Sequence, residues 1–227
     1  MNAGARVALY YVPDPDDALA AAGACWLGRD AETGAVMAQP AFDGIAEVTA
    51  DARLYGFHAT LKPPMRLADG ARWDDVVAAA TALADGIAPF DIPVLEVADV
   101  HGFLALRETA PCPPLQALAD LAVAWLDPFR APPGQEELDR RRRAGLSVAQ
   151  ETMLRRWGYP YVFATWFFHM TVSKRLAPPA RELWRARAAA HFAPSLARPR
   201  RVGAVALFTQ ASVGAPFLLA ERLALRG

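Results

Sequence analysis

Two short phrases of the sequence place a threonine two residues after a histidine: FHATLK at residues 57–62 and FHMTVSK at residues 168–174. Imidazole is the side chain that most readily gives and takes a proton near neutral pH. A hydroxyl beside it can donate a hydrogen bond to a non-bridging phosphate oxygen. Two such pairs on one molecule, with no carboxylate in either phrase, favour acid–base chemistry on a phosphodiester rather than metal-assisted chemistry.

The first phrase alternates polar and apolar residues, which is typical of a β-strand. Residues i and i+2 of a strand point to the same face. His58, Thr60 and Lys62 are therefore expected to project together, and we expect the strand to end at Pro63. Lys62 is a candidate ligand for a phosphate, because a nearby cation would offset the phosphate charge.

The second phrase follows the same alternation. His169, Thr171 and Ser173 are expected on one face, and all three are candidates for contact with a bound phosphate. Lys174 is out of phase with them and would need a β-bulge to reach that face. Of the 24 basic residues only two are lysines, and one ends each phrase; this position makes Lys174 a weaker second candidate for the phosphate site.

Two tyrosines are further candidates for contacts with the substrate. Tyr10 lies on a predicted first strand, at residues 6–12, and would line the site if that strand joins the sheet of the first phrase. Tyr55 lies three positions before His58 and would point to the opposite face of a regular strand. Packing in the core is the competing role for both.

The surrounding elements repeat as the phrases do. The first is followed by a predicted helix from Trp73 to Leu83 and by two strands, and the second by a predicted helix from Ala180 to Phe192 and by two strands. This order predicts an α+β fold with two antiparallel-sheet half-domains related by a pseudo-two-fold, and an active cleft between them. One bilobal domain would span residues 1–227, with halves at 1–112 and 158–227 and a helical connection at 113–157.

Composition limits the classes of function. The chain has 227 residues, 54% of them apolar, and a formal net charge of zero, so neither long nucleic acid nor a membrane surface is expected as a partner. Cys25 and Cys112 are too isolated for a disulfide framework or a zinc site. The N-terminal residues do not have the pattern of a signal peptide, which leads us to expect a cytoplasmic protein. No metal or other cofactor is expected.

The wording of the two phrases, YGFHATLKPP at residues 55–64 and FHMTVSKRL at residues 168–176, resembles the two-histidine (2H) phosphoesterase superfamily. It is most similar to an uncharacterised branch associated with phosphonate metabolism. The resemblance implies that His58 and His169 are the catalytic pair and that Thr60 and Thr171 bind the phosphate. It also implies action on cyclic phosphodiesters, or formation of 2′–5′ linkages, without a cofactor.

Three functions stay open at this point. The first is hydrolysis of a cyclic phosphodiester, or of a related phosphorylated small molecule, in phosphonate breakdown. The second is hydrolysis or joining of RNA ends that carry a 2′,3′-cyclic phosphate. The third is non-catalytic binding of a nucleotide or phosphonate metabolite. The sequence assigns neither the roles of the two histidines nor an oligomeric state, and the arginine run at 140–143 is either a charged helix face or an anion site.

Overall fold

The computed structural model describes residues 5–143, 145–197 and 199–227 of the chain. Its strands are β1 (Arg6–Tyr11), β2 (Ala59–Met65), β3 (Phe90–Ile92), β4 (Leu95–Val100), β5 (Phe103–Glu108), β6 (Met170–Thr171), β7 (Arg200–Val202), β8 (Ala204–Gln210) and β9 (Phe217–Ala224). Its α-helices are α1 (Ala18–Leu27), α2 (Ile45–Val48), α3 (Ala50–Tyr55), α4 (Trp73–Asp85), α5 (Pro113–Leu126), α6 (Gln135–Arg142), α7 (Val148–Trp157) and α8 (Pro178–Leu196).

The strands form a seven-stranded sheet in the order β4-β5-β6-β2-β1-β8-β9, and β3 pairs separately with β7. Every neighbouring pair is antiparallel. The predicted α+β class is thus confirmed. One detail differs from the expectation of two separate half-sheets: β2 and β6, which follow the two histidines, are direct neighbours in one sheet.

The sheet mixes strands from both predicted halves. The first motif strand, β2, lies on the side that contains the C-terminal strands β8 and β9, whereas β6 lies beside β4 and β5 from the first half. Sequence periodicity predicts strands but not their neighbours, so this exchange was not anticipated. The pseudo-two-fold between the halves and the division at 1–112 and 158–227 stay predictions.

The two faces of the large sheet have different roles. Helices α1, α4, α5 and α8 supply buried residues to the main hydrophobic core, which includes Leu61 of β2, Leu106 of β5 and Met170 of β6. On the opposite face a smaller cluster contains Tyr10, Phe208 and Phe217. Because side chains alternate along a strand, the residues that flank Ala59 of β2 and Met170 of β6 emerge on this second face.

The helix ends follow from local sequence. The Asp17 side chain accepts a hydrogen bond from the backbone N–H of Leu19 at 2.8 Å, and α1 ends at Gly28 in the left-handed conformation. Proline occupies the first turn of both α5 and α8, where a missing N–H costs nothing. The predicted helical connection at 113–157 is formed by α5, α6 and α7. None of the helices in the described ranges is long and apolar enough to cross a bilayer.

The predicted end of the first motif strand was wrong. Strand β2 continues through Pro63 and Pro64 to Met65. On one side it pairs with β1, but its other side pairs with β6 only at Ala59. Proline lacks an N–H donor and is tolerated where a strand edge has no partner. The short β6 leaves one edge unpaired at the prolines, and on the β1 side they lie at the register shift between the Met65 and Lys62 pairs, so neither proline interrupts a regular ladder.

Candidate active site

The pairing of β2 with β6 brings the two motifs together. Ala59 lies opposite Met170 in this antiparallel pair. Continuing the pairing by one residue in each direction puts His58 opposite Thr171 and Thr60 opposite His169. Residues opposite one another are about 5 Å apart at Cβ, and diagonal ones about 7–8 Å. The two histidines are therefore diagonal neighbours on one face; we call these four residues the motif square.

Both imidazoles are oriented by the same local contact. The His58 Nδ1 lies 2.9 Å from the Gly56 carbonyl oxygen, and the His169 Nδ1 lies 3.1 Å from that of Phe167. A carbonyl only accepts hydrogen bonds, so Nδ1 carries the proton and the Nε2 of each neutral ring is the unprotonated nitrogen, which can accept a proton. The two motif histidines therefore share the same imidazole tautomer.

Glycine at position 56 makes the first of these contacts possible. Its φ of 82° lies in the region that favours glycine, and a Cβ there would lie 2.4 Å from the Ala31 Cβ. Any larger residue would shift the carbonyl that orients His58. A change such as Gly56→Ala is therefore expected to disturb the first imidazole and to leave the second unaffected.

The His58 ring is half-buried against neighbouring side chains. Its Nε2 is 3.2 Å from the Thr60 hydroxyl, and the Tyr10 ring stacks on it with centroids 3.8 Å apart. Burial lowers the pKa of His58 to about 4, the contact with Gly56 partly opposes this, and the nearby His169 lowers the pKa further. His58 is therefore neutral at pH 7 in the free protein.

The His169 ring lies between two phenylalanines. The ring centroids of Phe167 and Phe103 are 4.7 Å and 5.9 Å away. Burial lowers the pKa of His169, the hydrogen bond to Phe167 opposes this, and the positive charge of Arg107 lowers the pKa further. Both motif histidines are thus held in apolar surroundings that favour the uncharged ring.

Arg107 is a site residue that sequence reasoning missed. In the pairing of β5 with β6, Ala105 lies opposite Thr171, so continuing it places Arg107 opposite His169. Its guanidinium lies over the Phe167 ring at 5.2 Å, and its Nε is buried with no hydrogen-bond partner among the described residues. In the sequence FLALRE, Arg107 is in phase with Phe103 and Ala105, which predicts that it lies on their face of the strand. Only the strand pairing shows that Arg107 lies opposite His169.

Lys62 does not reach the motif square. The pairing of β1 with β2 shifts by one residue between Tyr10–Thr60 and Leu9–Lys62. This bulge turns the lysine to the helix-covered face. There its Nζ donates to the Val123 carbonyl at 3.0 Å and to Asp127 at 2.9 Å, and the side chain is 1% exposed. The predicted alignment of the lysine with the histidine and threonine was wrong.

Ser173 and Lys174 also lie away from the imidazoles, because β6 ends at Thr171 and alternation stops there. The Ser173 hydroxyl accepts a hydrogen bond from the Leu104 backbone N–H and donates one to the Lys174 carbonyl. The Lys174 ammonium forms an ion pair with Glu47. These contacts give both residues a role in holding the segment after β6.

The two tyrosines lie beside His58. Tyr55 is the last residue of α3 rather than part of a strand, so the face expected for it does not apply. Its ring centroid is 6.2 Å from that of His58 and 5.2 Å from that of Phe217. The Tyr10 hydroxyl is buried and has no hydrogen-bond partner among the described residues.

A cavity of about 730 Å³ adjoins the motif square. Its lining includes Tyr10, Tyr55 and Thr60, two of which contact His58. Two residues of the arginine run, Arg140 and Arg141 on α6, also line it. Within the described part of the chain, no three side chains of His, Cys, Asp or Glu are grouped as metal ligands would be.

Comparison with known proteins identifies a family. The family described as "Protein of unknown function (DUF1045)" matches residues 60–218. A "Ribose 1,5-bisphosphate phosphokinase PhnN" of Janthinobacterium sp. (strain Marseille) is 37% identical over 231 residues, which cover 98% of this chain and 51% of that protein. The PhnN of Laribacter hongkongensis (strain HLHK9) is 38% identical over 216 residues, covering 94% and 50%. The chain spans about half the length of these relatives.

Solved structures with similar folds include E. coli LigT complexed with NADP+, at 14% identity and a TM-score of 0.45, covering all of both chains. A structure described as a phosphoesterase has 13% identity and a TM-score of 0.43, covering 98% of this chain and 99% of the other.

Proposed function

The chain belongs to the DUF1045 family of proteins of unknown function, and we propose that it is a metal-independent phosphodiesterase that opens a cyclic phosphodiester. The observation that carries this proposal is the motif square, in which two half-buried imidazoles with unprotonated Nε2 atoms lie diagonally across an antiparallel pair. A phosphate between them would have an imidazole on each side and a threonine hydroxyl beside each imidazole.

The proposed reaction uses the two imidazoles in opposite roles. One Nε2 takes a proton from water as the water oxygen attacks phosphorus and forms the new P–O bond. The ring P–O bond breaks, and the protonated Nε2 of the other imidazole donates to the departing alkoxide. The product is a phosphomonoester with a free hydroxyl group. After the reaction the imidazole that acted as base carries a proton and the one that acted as acid is neutral. Proton exchange with solvent restores the starting protonation states.

Binding of the substrate would raise the pKa of the imidazole that acts as the acid, so that this imidazole takes up a proton from solvent. In the free protein, burial lowers the pKa of both His58 and His169. The negative charge of a bound phosphodiester favours an adjacent imidazolium and raises its pKa. We therefore propose that one imidazole is protonated as the anion binds, and that the other stays neutral as the base.

The donors to the phosphate oxygens would be Thr60, Thr171 and Arg107. The sequence predicted lysines as the counter-charge, but Lys62 and Lys174 are engaged in ion pairs elsewhere. Arg107 is the cation that the strand pairing places beside His169. A guanidinium donates two parallel hydrogen bonds to a phosphate, which makes it suited to charge that develops in the transition state.

The relatives support a small phosphorylated substrate. Their name describes a kinase for ribose 1,5-bisphosphate, and a kinase needs a site for the phosphates of its donor nucleotide. This sequence has no Gly-rich phosphate loop followed by lysine. We therefore assign the kinase chemistry to the half of the relatives that this chain does not span, and the Phn name supports the link to phosphonate breakdown.

Turnover of a panel of cyclic phosphates, with and without EDTA, tests the proposal. We expect hydrolysis of a small cyclic phosphodiester to a monoester, unchanged by the chelator and lost in the His58→Ala, His169→Ala double variant. Loss of activity with EDTA and its return with a divalent ion would overturn the metal-independent reaction. Turnover of RNA ends alone would favour an enzyme that acts on RNA 2′,3′-cyclic phosphate ends. Binding without turnover would favour a non-catalytic protein that binds a nucleotide or phosphonate metabolite.

A further inference from the structure

The cavity beside the motif square is strongly basic, although the chain as a whole has a formal net charge of zero. Its charged lining residues are five arginines and two glutamates: Arg6, Arg66, Arg130, Arg140, Arg141, Glu136 and Glu137. The surplus of three positive charges is concentrated where a substrate held at Thr60 would extend. A concave surface of one sign raises the local concentration of oppositely charged ligands.

Two of the five arginines are already engaged in ion pairs. Arg130 forms two hydrogen bonds to Asp127, at 2.7 Å and 3.2 Å. Arg141 donates to Glu137 at 3.0 Å and lies over the Tyr159 ring at 4.4 Å. These contacts fix the cavity wall and leave its positive charge to the remaining three arginines.

Those three have donors to spare. Arg6 uses its Nε to bond Gln210 at 2.7 Å, and Arg66 uses one terminal nitrogen to bond the Pro132 carbonyl at 3.1 Å. The carboxylate nearest to Arg140 is Glu137, at 4.0 Å, beyond hydrogen-bond distance. Among the described residues these guanidinium groups make no other hydrogen bond, so each can still bind an anion.

The aromatic lining of the cavity offers hydroxyl groups rather than open ring faces. Tyr10 stacks on His58, and Tyr55 stacks on Phe217. Each ring already has an aromatic neighbour, and the third lining tyrosine, Tyr159, has Arg141 over its ring, so the lining offers few ring faces to a nucleobase. The unpartnered hydroxyl of Tyr10 is instead a donor for a polar ligand. The lining thus fits an anionic, hydroxyl-rich molecule better than a nucleoside.

We propose that this cavity binds a second phosphate group, so that the substrate carries both a cyclic phosphodiester and a terminal phosphomonoester. The inference rests on the proposed function and names the substrate class for it. Arg6, Arg66 and Arg140 bind the terminal phosphate while the motif square holds the cyclic one. A volume of about 730 Å³ is within the usual range for small-molecule sites and accommodates a phosphorylated sugar.

A matched pair of substrates tests the inference: ribose 2,3-cyclic phosphate, and the same compound with a 5-phosphate. We expect the 5-phosphate to lower KM by roughly 10–100-fold, since hydrogen bonds between charged groups are strong. The Arg66→Gln, Arg140→Gln double variant should lose that advantage, whereas KM for the unphosphorylated compound should rise by a much smaller factor, through loss of the general attraction for anions. Arg72→Gln is the control, because Arg72 is exposed, pairs with Asp74 and does not line the cavity.

Equilibrium binding of both compounds to His58→Ala separates this inference from the proposed function. If both compounds are hydrolysed with equal KM and bind equally, the second-phosphate site is overturned and the phosphodiesterase stands. If neither is hydrolysed but the 5-phosphate still strengthens binding through Arg66 and Arg140, the site is upheld and the phosphodiesterase falls. Absence of binding by either compound overturns the site.

Discussion

The two motifs are nearly identical up to the threonine and differ completely after it. In the first, β2 continues to Met65 and a bulge turns Lys62 into the core, where it pairs with Asp127. In the second, β6 ends at the threonine, and Lys174 pairs with Glu47 near the surface. The equivalence of the motifs is therefore limited to the histidine, the threonine and the carbonyl that orients each ring. The residues after each threonine instead anchor two different stretches of the chain.

The histidines give the largest expected effect and the strictest test of equivalence. Replacing either His58 or His169 with Ala should lower kcat by about 10²–10⁴, the usual contribution of a general acid or base. The double variant should be far less than multiplicatively worse, because the two groups act as one unit. Steady-state kinetics with a substrate that has a p-nitrophenolate leaving group assigns the roles. Only the variant that lacks the acid should recover with that leaving group, and equal recovery of both would contradict distinct roles.

The threonines come next. Thr60→Val and Thr171→Val keep the shape of the side chain and remove one donor to the phosphate, so each should lower kcat/KM by about 10–10³. Thr60 contacts His58 at 3.2 Å, so its loss should also shift the pH profile. Comparison of the two pH–rate profiles sharpens the difference between the motifs. Identical profiles would indicate that this contact has no role in setting the pKa.

The lysines should differ in stability rather than in activity. Lys62→Ala removes a buried side chain together with its hydrogen bonds to Val123 and Asp127, and should lower the free energy of unfolding by about 3 kcal/mol, measured by urea denaturation. Lys174→Ala, the matched control, should leave it unchanged within error, because its partner Glu47 is exposed. An equal loss in both variants would show that the bulge does not distinguish the two lysines.

Burial also makes the Lys62 contribution depend on pH. It lowers the pKa of Lys62 to about 8, although the hydrogen bond to Asp127 opposes this. Between that value and the ordinary pKa of 10.5, the unfolded chain binds more protons than the folded one. The free energy of unfolding should therefore rise with pH across this window, and the rise should be absent in Lys62→Met.

Arg107 breaks the symmetry of the site, because it lies beside only one of the two imidazoles. Arg107→Gln should lower kcat by about 10-fold, since a side chain that is partly solvated contributes less than a buried donor. It should also raise the pKa of His169, which NMR of the imidazole protons can follow. Arg175→Gln is the control, as Arg175 lies near Phe103 but bonds the His101 carbonyl. An unchanged His169 pKa would place Arg107 outside the site.

The pH dependence of stability is the smallest effect near neutrality. The folded-state pKa of His58 is lowered to about 4 from an ordinary 6.5, so between these values the unfolded chain binds more protons. The free energy of unfolding should thus fall as pH falls from about 6.5 toward 4, with a further contribution of the same sign from His169. Denaturation of the wild type and of His58→Gln across this pH range isolates the contribution of His58 to the free energy of unfolding. Parallel curves would contradict the burial of this ring.

Much of the fold was predictable because helix and strand signals are local. Asp17, Gly28 and Pro178 mark helix ends by rules that need no tertiary information. The membership of a phosphonate-associated uncharacterised family, predicted from the motif wording, is confirmed by the family match and the PhnN relatives. The roles of His58 and Thr60 stay predictions, although alternation along a strand was enough to expect them on one face.

The remainder depended on contacts between distant segments. The bulge that turns Lys62 away is set by how β1 pairs with β2. The sequence of β2 alone predicts a regular strand. Arg107 faces His169 only because β5 pairs with β6. Tyr55 reaches His58 because a short helix, α3, ends there. None of these three facts has a periodic signal in the sequence.

The exchange of strands has a consequence for how the protein is made. Strand β1, near the N-terminus, is paired on one side with β2 and on the other with β8, at residues 204–210. Strand β6 is likewise needed between β2 and β5. During synthesis the early strands must therefore wait, with unpaired edges, for the last strands to emerge from the ribosome. Folding dominated by such distant pairings is slow, and until it is complete the exposed edges are open to chaperones and to aggregation.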